Sequence, residues 1–187
     1  MAVTSASLTR PLRRAVACFR QARVPYALIG AWALAVWGRV RATQDLDFLV
    51  VVDQARLHAL ALRLEAAGMT RDRTWEDHNP LLRGSQIRLS AGAIVIDVLR
   101  PRDAQDVAAM RRKRRKRFEG SFYWFVAPED LILQKLKVGR PRDFEDALSI
   151  VQRCGSILNR AYVSRWAARL RIDEELAYIT SLDRPRP

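Results

Sequence analysis

Residues 30–47 read Gly-Ala-Trp-Ala-Leu-Ala-Val-Trp-Gly-Arg-Val-Arg-Ala-Thr-Gln-Asp-Leu-Asp, and this stretch decides the fold. It predicts a short apolar helix over 31–37, between a buried strand at 26–29 and a second strand at 45–52. Gly30 lies where the first strand turns into the helix, so the unpaired N–H groups of the helix start favour an anion there. A side chain would obstruct the close approach of a phosphate, and glycine has none. The sequence therefore predicts a phosphate site at this turn.

Two acidic residues on the second predicted strand point to a metal site. Asp45 and Asp47 fall on one face of that strand because side chains alternate along it. Neighbouring carboxylates repel unless a cation neutralises them, and oxygen ligands without His or Cys nearby favour Mg²⁺ or Mn²⁺. Asp97, a lone acid in the apolar strand 93–99, would complete the site and accept the proton of an acceptor hydroxyl. Pairing of Asp97 with Arg88 across a hairpin is the alternative.

The remaining patterns predict an α+β fold, a mixed sheet flanked by helices. Before residue 128, further helices are predicted over 8–23, 54–67 and 102–116, and further strands over 84–89 and 122–126. From Pro128 on, every periodic segment predicts helix, over 128–138, 141–153, 160–170 and 172–181. The chain therefore divides into an α/β core, residues 1–127, and a helical C-terminal region, residues 128–187.

The charge balance points to a polyanionic partner. The chain has 33 Lys and Arg residues against 20 Asp and Glu, a formal net charge of +13. Its densest cluster is a run of seven basic residues, which repel one another unless a polyanion neutralises them. Because aromatic residues follow at 122–124, the run predicts an RNA-binding surface suited to a tRNA acceptor end. A solvated helix end and an Arg-rich genomic composition are the alternatives. The run is Arg111, Arg112, Lys113, Arg114, Arg115, Lys116 and Arg117.

The sequence also excludes several classes of protein. Cys18 and Cys154 are far apart and form neither a disulfide framework nor a zinc site. No P-loop and no Gly-x-Gly-x-x-Gly occurs, so kinase, ATPase and dinucleotide-binding functions lack support. The N-terminus has no signal-peptide pattern, and the apolar run 26–37 is too short to cross a bilayer. We therefore expect a cytoplasmic protein without a membrane partner.

Together these motifs resemble the DNA polymerase β-like nucleotidyltransferase superfamily, most closely the minimal enzymes that include AbiEii-type toxins. Those proteins show Gly-Gly or Gly-Ser, a short helix, and then Arg-x-Thr-x-Asp-x-Asp, which here reads Arg-Ala-Thr-Gln-Asp-Leu-Asp over 41–47. The resemblance extends to Asp97, to 133–136 and to 140–146, and so touches about two-thirds of the chain in the expected order.

The resemblance implies a five-strand mixed sheet and a set of nucleotide contacts. Gly30 would contact the triphosphate, and Lys135 would reach the nucleotide phosphates. Asp45, Asp47 and Asp97 would form the metal and catalytic set. Ala31 departs from the family pattern, so a serine hydroxyl contact is lost, although its backbone N–H could serve. Arg41 would either neutralise phosphate or hold the turn against Asp45.

These interpretations combine into one expected function. The chain would use Mg²⁺ or Mn²⁺ to move a nucleoside monophosphate from an NTP to a hydroxyl on RNA, such as tRNA, or on protein. The AbiEii resemblance adds a toxin role with a cognate antitoxin partner. Two alternatives stay open: a non-catalytic RNA-binding module on a degenerate transferase fold, and a small-molecule enzyme of the aminoglycoside type. The small-molecule enzyme would need an acidic acceptor pocket, against which the charge of +13 argues.

Overall fold

The computed structural model describes residues 5–183, and of residues 5–8 only the backbone. The helices in this part of the chain are α1 (Ser5–Gln21), α2 (Gly30–Trp37), α3 (Gln54–Ala66), α4 (Arg73–His78), α5 (Ala104–Arg112), α6 (Pro128–Val138), α7 (Pro141–Cys154), α8 (Arg160–Leu170) and α9 (Asp173–Leu182). The strands are β1 (Tyr26–Leu28), β2 (Asp45–Val50), β3 (Thr70–Arg71), β4 (Gln86–Ala91), β5 (Ile94–Leu99), β6 (Arg114–Phe118) and β7 (Ser121–Phe125), and a 3₁₀ turn spans Pro80–Leu82.

The strands form one mixed sheet in the order β3-β4-β5-β2-β1-β7-β6. β2 is the central strand, antiparallel to β1 and parallel to β5. β4 and β5 form an antiparallel hairpin closed by residues 92–93, and β1 runs parallel to β7. This order brings the strand of Asp45 and Asp47 next to the strand of Asp97.

The alternation of residues along β2 separates the core from the acidic face. Leu46, Phe48 and Val50 are fully buried. Phe48 meets Phe19 of α1 edge to face, with ring centroids 4.8 Å apart. Burying a large apolar side chain stabilises the fold by about 1.5–3 kcal/mol, so these positions fix which way the strand faces. Asp45 and Asp47 are thereby directed to the opposite side of the sheet.

The predicted α+β class, with a mixed sheet flanked by helices, is confirmed, but the sheet has seven strands in the described region rather than five. The two additional strands are β3 and β6. The predicted helix over 102–116 is wrong over 113–116, because α5 ends at Arg112 and the basic residues 114–117 lie in β6. The helix α4 was also not predicted.

Tertiary pairing explains why the basic run is a strand. β7 buries Tyr123 and Phe125 in the core, and its outer edge pairs along its whole length with β6. Charged residues suit β6 because it is the last strand of the sheet, and charges on an edge discourage further strand pairing. A charged run without apolar alternation gives no local signal for such a strand.

Polar contacts join α6, and the segment that leads into it, to helices that precede it in the chain. The indole Nε1 of Trp37 donates to the carbonyl of Val126 over 2.8 Å. Arg112 contacts Glu129 and Asp130 of α6 at 2.9 and 3.1 Å. Cys18 and Cys154 are both buried and unpaired with each other. No helix within residues 5–183 has the length and apolar character needed to cross a membrane.

Candidate active site

The three acidic residues predicted to hold a metal lie on one face of the sheet. In the parallel pair β2–β5, Asp47 is directly opposite Asp97, and Asp45 is two residues before Asp47. Burial, together with repulsion from the carboxylates of Asp97 and Asp45, raises the pKa of Asp47 to about 6. The structure thus places the carboxylates of Asp97 and Asp45 close enough to oppose the ionisation of Asp47.

The turn at the start of α2 is fitted against Asp47. Gly30 has a φ of 61°, which glycine adopts without the strain that other residues incur. A Cβ atom at Gly30 would collide with the Asp47 carboxylate. The N–H of Ile29 donates to the Asp47 carbonyl over 3.0 Å, and the indole Nε1 of Trp32 donates to the Asp45 carbonyl over 2.9 Å. These contacts hold the start of α2 directly against the strand that carries Asp45 and Asp47. Only glycine fits at position 30 between them.

An open cavity of about 820 Å³ lies over the helix start and this strand, a volume within the range of ligand pockets. Gly30 and Ala31 line it at the N-terminus of α2, where helix N–H groups favour an anion. The three carboxylates line the same cavity, and α6 and α7 contribute Lys135 and further basic residues. An NTP could therefore contact the helix start and the acidic face at once.

Asp97 is held by an arginine, as the alternative prediction stated. Arg88 lies directly opposite Asp97 in the β4–β5 hairpin. Its Nε and Nη2 atoms donate to the two Asp97 oxygens over 2.9 and 2.7 Å. The Arg88 guanidinium also lies 4.4 Å from the ring centroid of Trp75 in α4. Both oxygens of Asp97 are thereby engaged by one bidentate ion pair.

The residues fit a divalent cation at two of the three predicted positions. Within residues 5–183, no group of three or more His, Cys, Asp or Glu side chains is arranged to hold a metal ion. Asp45 and Asp47 remain as hard oxygen donors on one face, and a cation would offset the burial and the charge repulsion that together raise the pKa of Asp47. Asp97 could join them only in competition with Arg88, which binds both of its oxygens.

Lys135 lines the cavity but is already engaged by two carboxylates. Its Nζ donates to Asp143 over 2.9 Å and to Asp146 over 2.8 Å, and all three side chains are buried. Asp146 also contacts Arg39 at 2.9 Å and Arg41 at 3.5 Å. Arg41 is thus directed to Asp146 rather than to Asp45. A phosphate bound by Lys135 and Arg41, as predicted, would have to share these cations with the buried carboxylates.

The sequence patterns did not identify three arginines that lie on the rim of the cavity. Arg102, Arg140 and Arg142 line the cavity and are exposed. Their guanidinium groups have no ion-pair partner in the part of the chain that the structure describes. Arg140 and Arg142 lie in the stretch 140–146 that was already part of the sequence pattern, but nothing in that pattern marks them as the unpaired cations.

The predicted RNA-binding run divides between two environments. Arg112 packs inward, with its guanidinium 3.8 Å from the ring centroid of Tyr162, and pairs with acids of α6. By contrast, β6 and β7 form a hairpin that we call the basic hairpin. Its outer face pairs Arg115 with Trp124 and Arg117 with Phe122. Phe122 and Trp124 are 48% and 38% exposed. The outer face thus alternates cations with accessible aromatic rings.

Solved structures share this architecture. ANT(2'')-Ia in complex with adenylyl-2''-tobramycin superposes with a TM-score of 0.60 at 16% identity, over 89% of this chain and 98% of that one. The lincosamide antibiotic adenylyltransferase LnuA, lincomycin-bound, gives 0.52 at 14% identity, over 75% and 94%. An antigenic nucleotidyltransferase-like protein from Paracoccidioides brasiliensis gives 0.52 at 15% identity, over 79% and 77%. The chain has the nucleotidyltransferase fold.

Comparison of the sequence with known proteins does not assign the chain to a family within this fold. No protein-family model matches the chain, and no curated protein matches it either. At 14–16% identity, the structural similarity establishes the nucleotidyltransferase fold. The narrower resemblance to AbiEii-type toxins remains a prediction from the sequence.

Proposed function

We propose that this chain is a nucleotidyltransferase that moves a nucleoside monophosphate from an NTP to a hydroxyl acceptor. One observation carries the proposal: Asp47 is aligned with Asp97 across β2 and β5 and lies against a Gly30 turn that opens a helix onto a large cavity. A structural role alone does not explain a half-buried carboxylate whose pKa is raised by desolvation and by two neighbouring carboxylates that line the same cavity.

The chemistry can be assigned to groups of this chain. The acceptor oxygen attacks the α-phosphorus, the bond from that phosphorus to the bridging oxygen breaks, and pyrophosphate leaves. Mg²⁺ or Mn²⁺ held by Asp45 and Asp47 would offset the negative charge of the phosphate oxygens. The N–H groups at the start of α2 bind the phosphates, and a carboxylate oxygen of Asp97 takes the hydroxyl proton once Arg88 releases it.

The exposed arginines of the cavity rim are proposed to hold the triphosphate. Replacing both Arg140 and Arg142 by Ala should weaken MgNTP binding by about tenfold or more, because two charge-assisted contacts to phosphate are lost. Isothermal calorimetry with a non-hydrolysable NTP analogue measures this change without any acceptor.

The matched control replaces Arg165 and Arg169 by Ala. These exposed arginines lie on α8 and do not line the cavity, so this variant removes the same charge and should bind MgNTP like the parent protein. Equal weakening in both variants would mean that net charge, and not the rim, determines affinity.

The charge of the cavity favours an anionic acceptor over a cationic drug. Eight Arg and Lys residues line it against six Asp residues. Two of the acids, Asp103 and Asp106, are paired with Lys137 at 3.0 and 3.1 Å. ANT(2'')-Ia and LnuA were solved with an adenylylated tobramycin and with lincomycin, whereas the excess of cations in this cavity opposes a polycationic acceptor. We therefore propose RNA as the acceptor.

The outer face of the basic hairpin is the proposed RNA contact. Reversing the charge of Arg115 and Arg117 with Glu should weaken binding of a single-stranded RNA oligonucleotide by about tenfold or more. It should also lower the slope of log affinity against log salt by roughly 1.4, about 0.7 for each lost phosphate contact. Fluorescence anisotropy at several salt concentrations measures both quantities.

A second variant tests the aromatic part of the hairpin. Trp124→Ala should cost about 1–3 kcal/mol of RNA binding with little change in the salt slope, because stacking involves no counterion release. The charge-matched control for the variant with Glu at Arg115 and Arg117 replaces Arg165 and Arg169 by Glu. The RNA proposal would be abandoned if the hairpin variants bound RNA as tightly as this control.

Incubation with each α-labelled NTP, Mg²⁺ and total RNA tests the enzymatic proposal directly. Label should appear in RNA, and it should disappear when Asp47 is replaced by Asn. A protein that binds RNA equally well with and without metal, and transfers no label, would instead be the non-catalytic module. The toxin role and a cognate antitoxin are proposed on the AbiEii resemblance alone.

A further inference from the structure

Asp97 is the acid that the proposed reaction needs, yet both of its oxygens already bind Arg88. Its two oxygens accept hydrogen bonds from Arg88 over 2.9 and 2.7 Å. Each oxygen keeps a second lone pair, but the guanidinium fixes both oxygens toward Arg88, and its charge repels a cation that approaches them. A divalent ion can therefore reach Asp97 only in competition with Arg88.

The arginine is positioned by more than this ion pair. Register in the hairpin places Arg88 opposite Asp97, and the Trp75 ring covers its guanidinium at 4.4 Å. Trp75 is itself fixed at the start of α4, where its N–H donates to the Asp72 side chain over 2.9 Å. Arg88 also lines the cavity, so a route away from Asp97 is open to it.

We propose that Arg88 is a positioning residue that competes with a second divalent ion for Asp97. The inference rests on the proposed function. Without a metal, Arg88 supplies the positive charge that Asp97 needs beside Asp47. One ion would be held by Asp45 and Asp47, and a second ion would reach Asp97 only against the charge and the hydrogen bonds of the guanidinium. The arginine thus delays completion of the site until the second ion is present.

Titration of the full chain with Mn²⁺, followed by the electron paramagnetic resonance signal of the free ion, tests this competition without any turnover. The parent protein should bind one ion tightly and a second weakly. Arg88→Gln should tighten the second ion by about tenfold or more, since a charge-assisted bidentate competitor is removed. Arg88→Lys should tighten it less, because lysine keeps the charge but cannot span both oxygens.

Arg71→Gln is the matched control. Arg71 lies on the neighbouring strand β3 and forms the same kind of bidentate pair, with Glu76 at 2.7 and 3.0 Å. Its loss removes an equal charge without touching Asp97, so the affinity for the second ion should stay at the parent value. Adding Asp97→Asn to Arg88→Gln should abolish the gain. Urea unfolding checks that each variant is folded. If Arg88→Gln does not fold, Arg88→Lys still tests the proposal.

Two results would overturn the proposal. One is a second-ion affinity that is unchanged or weaker in both Arg88 variants. The other is an equal gain in Arg71→Gln, which would show a general charge effect. Failure here is distinguishable from failure of the proposed function, because Asp47→Asn should remove the first ion whether or not Arg88 competes for the second.

Discussion

Replacing Asp47 by Asn should lower the rate of nucleotide transfer by about a thousandfold or more. The side chain keeps its size, so the fit against Gly30 is retained while the charge that attracts the divalent ion is lost. Asp45 alone would then face the cation, and the first Mn²⁺ site should disappear as well. Transfer of α-labelled NMP and Mn²⁺ titration measure the two effects on the same preparation.

Asp53→Asn is the control for this substitution. Asp53 follows β2 closely and caps α3 by accepting a hydrogen bond from the Arg56 N–H over 2.7 Å. Asparagine caps helices as well as aspartate does, so this variant loses one carboxylate near the same strand without loss of stability. It should retain full transfer activity and the first Mn²⁺ ion. If Asp47→Asn kept its activity, the acidic face of β2 would not be the reaction centre.

Much of the acidic face could be predicted from local pattern. Alternation along β2 placed Asp45 and Asp47 together, and a lone acid in an apolar strand singled out Asp97. The pairing of Asp97 with Arg88 was foreseen only as an alternative, because it depends on hairpin register. β4 ends at Ala91, two residues later than predicted, and the register of the pair places Arg88 directly opposite Asp97.

Other features depend on contacts between distant parts of the chain. The basic run 114–117 carries good helix formers and no apolar alternation, and it becomes a strand because β7 offers an edge. The sequence around Lys135 predicts an amphipathic helix. Its ion-pair partners, however, are Asp143 and Asp146 on the next helix, α7. Which cations are neutralised and which stay free for a ligand is therefore set by tertiary packing.

The largest effect on stability is expected for Asp146→Ala. Asp146 is fully buried and accepts hydrogen bonds from Lys135 at 2.8 Å and Arg39 at 2.9 Å. Its removal leaves the buried ammonium of Lys135 with Asp143 as its one remaining carboxylate partner among the described residues. Breaking a buried ion pair from one side costs about 3–5 kcal/mol of the free energy of unfolding. Urea unfolding at neutral pH measures this loss.

Glu145→Ala provides the comparison at the adjacent position. Glu145 pairs with the same Arg39 at 2.8 Å, but its side chain is 64% exposed. An exposed ion pair contributes about 0–1 kcal/mol, so this variant should unfold almost like the parent protein. Equal destabilisation by both substitutions would show that Arg39, rather than the buried lysine, carries the effect.

The cost of Asp146→Ala should also depend on pH in a defined direction. Burial opposes ionisation of Asp146, but hydrogen bonds and charge from Lys135 and Arg39 outweigh it and lower its pKa below 3.8. A carboxyl group with a lowered pKa in the folded protein stabilises that protein above its unfolded pKa and loses this contribution as the pH falls through its folded pKa. The difference between parent and variant should therefore be full at pH 7 and shrink below about pH 4. A constant difference over that interval would mean that Asp146 stabilises the fold through packing and not through its charge.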